Sequence, residues 1–302
     1  MKVTVFICTY NRGNLIEGTL DSLLINQNHV PDEIVIVNGG GVKNCQKIIE
    51  KWQDEFPIIK TIQTCNRNLA TSRNIGLPHC SGDLILQTDD DARPFPNWIE
   101  KVVKAHKNNP AWGVIGGQVI DGGRGNFLSK IADIATFPKH NNTQKVQSVA
   151  GVNSSYKKEV IKSVGEYDET LFRGEDVDYN WRAIQKGWDV LFCPEIKVKH
   201  LHRPTWKSLF KQHFMYGRAH YLVRKKWPEM YSHYPLEIAS IRSLFKWLTS
   251  WSWTPFNDAI KKSYRLQTKI NGFDILIFLF VNLSNRIGTA IQRHFLWFNE
   301  KN

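Results

Sequence analysis

The sequence predicts an α/β protein: a Rossmann-like, mainly parallel sheet flanked by helices over residues 1–202, then a helical C-terminal region over 203–302. Three observations carry this reading. Short β-branched runs alternate with stretches of helical spacing up to residue 88. Strands separated by helices imply right-handed crossovers, which place ligands at the carboxyl ends of the strands. From Arg203 onward the pattern changes to helices rich in Trp, Lys and Arg.

Taken in order, Val3–Cys8 is a β-branched run, and Leu15, Thr19, Leu20, Leu23 and Leu24 follow at the spacing of one helix face. Glu33–Val37 is apolar and stops at Asn38-Gly39-Gly40-Gly41, a turn signal. Cys45–Phe56 reads as helix, Ile58–Gln63 as strand and Leu69–Leu77 as helix. Asp83–Thr88 is a strand that ends in three consecutive aspartates. Gly122–Gln147, polar and Gly-rich at its start, is expected to be a long loop: either one that closes over substrate or a passive insertion. Val149–Tyr156 resumes strand character, and Glu175–Lys186 reads as helix. Further on, Leu244, Trp247, Leu248 and Trp251 share one helical face.

Composition narrows the class. With 302 residues, 42% of them hydrophobic and 23% charged, the chain is an ordinary globular one and wholesale disorder is excluded. Forty Lys and Arg against 28 Asp and Glu give +12, which suits phosphates, anionic lipid or nucleic acid. The five cysteines are scattered without a C-x-x-C pair, so neither a zinc knuckle nor a disulfide framework is expected, and a reduced cytosolic setting fits. The N-terminus runs into a strand-like segment without the apolar stretch of a signal peptide. The longest apolar run, Ile275 to Val281, falls short of the ~20 residues a spanning helix needs, so it is expected to lie on a membrane at most.

Four segments at the strand ends carry the chemistry. Thr9-Tyr10-Asn11-Arg12 follows the first strand, where backbone N–H groups and a cation can meet a nucleotide; a helix cap explains it equally well. Asn66 to Gly76 contains Ser72-Arg73-Asn74-Ile75-Gly76, and an Arg fork suits a base or diphosphate. Asp89-Asp90-Asp91 would repel one another strongly unless a cation neutralises them, and Mg²⁺ or Mn²⁺ prefers such oxygen ligands. Arg173-Gly174-Glu175-Asp176-Val177-Asp178 opens a helix; acids there serve the helix dipole, and Asp178 with Arg182 suits an i,i+4 pair.

Together these segments resemble the family 2 glycosyltransferases of the GT-A fold, over residues 3 to about 220. The resemblance implies that Thr9, Tyr10, Asn11 and Arg12 touch the donor nucleotide and that Arg73 reaches its base or diphosphate. Asp89 and Asp91 match the Asp-x-Asp signature, Asp91 binding Mn²⁺ or Mg²⁺ directly, Asp89 nearer the ribose and Asp90 beside the donor. Asp176 matches the catalytic base, with Glu175 next to it. His200 best matches a third metal ligand, and His202 competes with it. Asn153, in Gly151-Val152-Asn153, and Arg218, after Tyr216-Gly217, are candidates for acceptor or phosphate contact, though both suit packing equally. One departure stands out: the family usually has Asp at the end of strand two, where this chain has Asn38. An amide both donates and accepts, so a uracil edge is less firmly specified.

The function so implied is inverting, metal-dependent transfer of a sugar from a nucleotide-diphosphate donor, a UDP-sugar first, to a hydroxyl of a polysaccharide or lipid-linked glycan. A nucleotidyltransferase is the nearest rival, but Thr9–Gly13 lacks a Gly-rich phosphate-cradling loop with a downstream Lys. A non-enzymatic membrane or nucleic-acid binder is favoured only by the basic, Trp-rich C-terminal third. Attached to the enzyme, that third suits peripheral association with an anionic membrane, with an ordinary helical cap as the alternative. The expected setting is cytoplasmic, at the inner face of the cell membrane, with no nucleic-acid partner.

Overall fold

The computed structural model describes residues 1–40, 43–65, 67–123, 127–202, 205–231, 240–267 and 271–299. Asn66 and the expected boundary at residue 203 lie outside the described residues. The elements form two compact units, Met1–Gly123 with Lys139–Leu201, and Arg124–Pro138 with His202–Asn302. The segment 124–138, expected to belong to the first domain, thus groups with the second unit.

The first unit holds β1 (Val3–Thr9), α1 (Gly13–Leu24), β2 (Glu33–Asn38), α2 (Lys43–Glu55), β3 (Ile59–Gln63), α3 (Leu69–Gly76), β4 (Leu84–Asp89), β5 (Ala92–Pro94), α4 (Trp98–Asn108) and β6 (Trp112–Asp121). After α5 (Phe127–Thr136), which belongs to the second unit, come β7 (Gln144–Lys145), β8 (Ser154–Lys157), α6 (Lys158–Val164), α7 (Glu175–Gln185) and β9 (Asp189–His200). The sheet runs β3-β2-β1-β4-β8-β6-β9-β5, with β7 beside β9. It is parallel from β3 through β4 and between β6 and β9, and antiparallel where β8 is inserted. Every residue of β2 is buried, and β1 and β4 are buried almost throughout, because helices cover both faces of this part of the sheet.

The parallel register is what builds the site. Thr9 pairs with Asn38, and Cys8 with Asp89, so the last residues of β1, β2 and β4 reach the same sheet edge. At the opposite end Glu33 is a clamp. It accepts from Thr4 Oγ1 at 2.6 Å, Ser81 N at 2.8 Å and Ser81 Oγ at 2.9 Å, and pairs with Lys60 at 2.5 Å. Burial opposes its charge, but these donors outweigh it and hold the carboxyl down at about 2.

Two segments differ from their expected structure. Val149–Tyr156 is not one strand: a 3₁₀ turn, Gly151–Asn153, precedes the short β8. Gly122–Gln147 is not a long loop either, since α5 occupies its middle and buries Ile131, Ala132 and Ile134. Leu128, Ile131, Ala132 and Ala135 follow helical spacing, which the Gly-rich start of the segment masks.

The second unit contains α5 together with α8 (Trp206–Lys226), α9 (Ile241–Trp251), α10 (Trp253–Gln267) and α11 (Gly272–Asn299). Its core gathers Ile131, Leu209, Ala259, Ile277, Phe278 and Val281. The run Ile275–Val281 is the early part of a 28-residue helix whose stretch Gly272–Leu296 is, by length and composition, enough to cross a membrane. The expectation that this segment is too short is therefore corrected: the polar residues that interrupt the run do not end the helix.

Helices α8 and α11 touch backbone to backbone. A Cβ at Gly217 would strike the carbonyl oxygen of Asn285, and one at Gly288 that of Phe214. Thr289 Oγ1 donates to the Gly217 carbonyl at 3.0 Å and Ser284 Oγ to that of Phe210 at 2.8 Å. Gly217→Ala is therefore expected to prise the two helices apart and cost about 1–3 kcal/mol or more, seen as earlier thermal unfolding with intact secondary structure at low temperature.

Candidate active site

The shared edge of β1, β2 and β4 presents three groups of side chains. The first is an acidic cluster. Asp89 ends β4, Asp90 and Asp91 follow it, and β9 ends in His200, whose backbone partner across the ladder is Ala92. His200 Nε2 lies 3.2 Å from Asp91 Oδ1. One ligand atom each from Asp89, Asp91 and His200 falls within 4.8 Å of the others. Ligands bound at ~2.1 Å around one small divalent ion sit about 3 to 4.2 Å apart, so modest closure would suffice. Asp91 Oδ1 is moreover buried with no well-aligned hydrogen-bond donor. Two carboxylates and an imidazole are a sound donor set for Mn²⁺ or Mg²⁺, and the residues present fit the ion.

Electrostatics in the cluster are divided sharply. Burial, then the charge of Asp91, raises Asp89. Burial likewise pushes Asp90 up to about 6, against the pull of Arg12 and Thr9. Asp91 goes the other way: burial opposes its charge, yet the His200 ring and Arg12 hold it down at about 2. His200 is correspondingly raised, Asp91 outweighing the burial that disfavours its imidazolium.

The second group is the turn after β1. Thr9 Oγ1 donates to Asp90 at 2.7 Å, and Arg12 Nη1 bridges Asp90 at 2.9 Å and Asp91 at 2.8 Å. Asn11 makes the turn with φ 58°, a left-handed conformation Asn tolerates, and Tyr10 is exposed. Of the four residues expected to meet donor, two thus also restrain the acids. At the end of β2 the Asn38 amide is held internally, donating to Gln46 Oε1 at 3.1 Å and accepting from Gly40 N at 3.3 Å.

The third group opens α7. Gly174 takes φ 77° to start the helix, which glycine does without a Cβ penalty. Asp176 Oδ2 accepts from Gly151 N at 3.1 Å and Oδ1 from Val177 N at 2.9 Å, leaving a half-buried carboxylate anchored at both oxygens. Glu175 turns inward instead, to an ion pair with Arg73 at 2.7 Å, both nearly inaccessible. Arg73 also lies over the Tyr167 ring at 5.1 Å, and a Cβ at Gly151 would collide with its guanidinium. Arg73, expected on the donor, is therefore engaged with Glu175, and of the two expected catalytic acids only Asp176 is partly accessible. Asp178 and Arg182 make the i,i+4 pair at 2.9 Å.

Burial pushes Glu175 up to about 7, more than Arg73 pulls it down, and the nearby Asp176 and Asp89 charges add to the rise. The folded chain thus holds this proton to higher pH than the unfolded one, whose carboxyl ionises near 4.5. Its contribution to stability is full below pH 4.5 and fades as pH climbs toward about 7. Glu175→Gln should flatten that part of the melting-temperature profile.

His202 Nε2 faces Asp133 at 3.6 Å within the second unit, while His200 sits with the acids. Asn153, expected to shape an acceptor pocket, is 1% exposed; it accepts from Trp98 Nε1 at 2.9 Å and donates to the Gln118 and Ile196 carbonyls. That is a packing role. Arg218 lies in the second unit and donates to Gln292 at 2.8 Å. Sequence reasoning missed Tyr167, Thr19 and the Gly151 amide. Thr19 Oγ1 lies 2.7 Å from the Asp90 carbonyl and 2.8 Å from that of Ala92, its one proton serving both and fixing the acidic turn, yet on sequence it reads only as one more helix-face residue.

The family model described as glycosyl transferase family 2 matches residues 4–165, more than half of the chain. The chain belongs to glycosyl transferase family 2. This family 2 glycosyltransferase is 30% identical over 219 residues to the glucosyl-dolichyl phosphate glucuronosyltransferase of Haloferax volcanii, covering 66% of this chain and 69% of that one. It is 24% identical over 224 residues to the poly-beta-1,6-N-acetyl-D-glucosamine synthase of Staphylococcus aureus, of which it spans 54%. Among solved structures it resembles the mannosyltransferase PcManGT from Pyrobaculum calidifontis, in complex with GDP-Man and Mn²⁺, with a TM-score of 0.66 and 15% identity over 96% of this chain and 87% of that one. The fold is the GT-A fold of that transferase, and the protein is a transferase enzyme.

Proposed function

We propose that this family 2 glycosyltransferase moves a sugar from a nucleotide-diphosphate donor, a UDP-sugar first, to a hydroxyl of a lipid-linked glycan or polysaccharide, with inversion at the anomeric carbon. The observation that carries the reading is the meeting of an Asp89–Asp91–His200 cluster with the end of β1, beside an anchored, half-buried Asp176. The names of the relatives, a dolichyl phosphate enzyme and a polysaccharide synthase, support the acceptor class.

Asp89, Asp91 and His200 would hold Mn²⁺ or Mg²⁺, which when bound supplies charge stabilisation on the departing diphosphate. Thr9 and Arg12 would meet the donor nucleotide, Arg12 bringing a guanidinium that suits its anionic groups. Asp176 takes the acceptor proton as the hydroxyl attacks, its geometry held by the Gly151 and Val177 amides. The Arg73–Glu175 pair, packed on Tyr167, holds the first turn of α7 in place. The chain acts on the cytoplasmic side, peripherally at the membrane, where lipid-linked acceptors are found.

A screen of nucleotide-sugars with Mn²⁺ tests this. Release of a nucleoside diphosphate, largest from a UDP-sugar, is expected. Release of pyrophosphate would instead indicate nucleotidyl transfer, and no turnover with any donor would overturn the reading.

A further inference from the structure

The chain's charge is segregated. The first unit carries 22 Lys and Arg against 22 Asp and Glu, whereas the second carries 18 against six, so the whole excess of +12 lies in the second unit. The same unit exposes a continuous apolar stripe on α11, with Leu276, Phe280, Leu283, Ile287 and Ile291 each 43–58% exposed at three- and four-residue spacing. On α9, Ile241 and Phe245 are 87% and 69% exposed. Apolar exposure on this scale beside dense positive charge fits an anionic membrane surface.

Two adjoining cavities give this surface chemical detail. One, of about 360 Å³, is lined by Arg224, Arg286, Arg293 and His294 together with Trp247 and Tyr221, and no acidic side chain lines it among the described residues. The other, of about 330 Å³, is lined by Leu276, Leu279, Phe280, Leu283 and Pro255. Trp251 and Arg286 line both, so the basic cavity and the apolar one share a wall. Arg forks match phosphate oxygens, and the apolar cavity offers a hydrocarbon chain the contact it loses on leaving the bilayer. Three lining residues of the apolar cavity, Leu276, Phe280 and Leu283, belong to the exposed stripe itself, so a lipid would enter laterally from the membrane surface.

We propose that the second unit binds a phosphate-bearing lipid, its phosphate among Arg224, Arg286 and Arg293 and its chain along Trp251, Leu276, Phe280 and Leu283. The proposal rests on the lipid-linked acceptor reading for the use of the site, but not for its existence. Helix α11 lies in the membrane plane. Its opposite face is locked on α8 through Gly217 and Gly288, and α8 carries Lys211, Arg218, Arg224, Lys225 and Lys226, which a spanning α11 would draw toward the hydrocarbon.

The test is flotation of the full chain with vesicles of phosphatidylcholine alone, with added phosphatidylglycerol, or with added polyisoprenyl phosphate. Binding to both anionic vesicles and not to phosphatidylcholine alone is expected; preference for polyisoprenyl phosphate would assign an acceptor lipid, and equal binding a general anionic headgroup. The double variant Arg286→Gln, Arg293→Gln should weaken binding roughly tenfold or more, while Arg286→Lys with Arg293→Lys keeps most of it. Phe280→Ser with Leu283→Ser should weaken binding with the cations intact. Circular dichroism melts confirm that each variant is folded. Equal binding to phosphatidylcholine, no loss in the Gln variant, or complete displacement by inorganic phosphate would overturn the proposal. Nucleotide-sugar hydrolysis without lipid is scored separately: hydrolysis without flotation sinks the lipid site alone, and flotation without hydrolysis sinks the transferase mechanism alone.

Discussion

Asp176→Asn is expected to lower sugar transfer about 10²–10⁴-fold, the usual worth of a general base, with donor affinity close to unchanged. The substitution keeps the shape of the side chain, but the Gly151 and Val177 amides hold different carboxylate oxygens, at 3.1 and 2.9 Å, so the Asn oxygen can serve only one of them. What disappears is the proton acceptor. Single-turnover transfer, measured beside donor binding by calorimetry, separates the two. Transfer at the unmodified rate would remove Asp176 from the mechanism and leave Glu175 a poor replacement, since burial and Arg73 enclose it.

Asp91→Ala is expected to abolish the part of donor binding that depends on Mn²⁺ and to reduce turnover by two orders of magnitude or more, because charge stabilisation by such an ion is worth several kcal/mol. Asp91 is the low-pKa member of its cluster, the partner of His200 at 3.2 Å and of Arg12 at 2.8 Å. Its removal deprives both groups of their common counter-charge. Calorimetric titration of nucleoside diphosphate with and without Mn²⁺ reads the effect. A chain in which Mn²⁺ strengthens binding equally before and after the substitution would place the ion elsewhere.

The parts of the architecture that were legible in the sequence are those where one periodicity dominates. β1, β2 and β4 read as strands because apolar runs buried on both faces leave nothing ambiguous, and each ends on a polar residue that the register then brings to one edge. Asp89 and Asp91 stood out for a related reason: a solvated acidic turn accounts poorly for the apolar strand that delivers them. The meeting of His200 with the acidic triplet was not legible, since His200 lies 109 positions beyond Asp91 and it is the β5–β9 ladder, continued by Leu201 N donating to the Asp91 carbonyl at 2.9 Å, that joins them. Arg73 shows the opposite limit. Its residue type suggested a ligand contact, but the partner that claims it, Glu175, lies 102 residues away and carries no local mark. α5 was overlooked because a Gly-rich entry resembles a loop, and because its apolar face is buried by helices of the second unit rather than by its sequence neighbours.

Arg12 carries a consequence for how the enzyme comes into being. By bridging Asp90 and Asp91 it supplies the acidic edge with a tethered counter-ion of its own, while burial leaves Asp89 and Asp90 reluctant to ionise. Folding of the chain and occupation of the cluster by a divalent ion would on this account be separate events. An ion held by Asp89, Asp91 and His200 would replace Arg12 as the counter-charge of Asp91, and would leave that guanidinium available to an anionic partner.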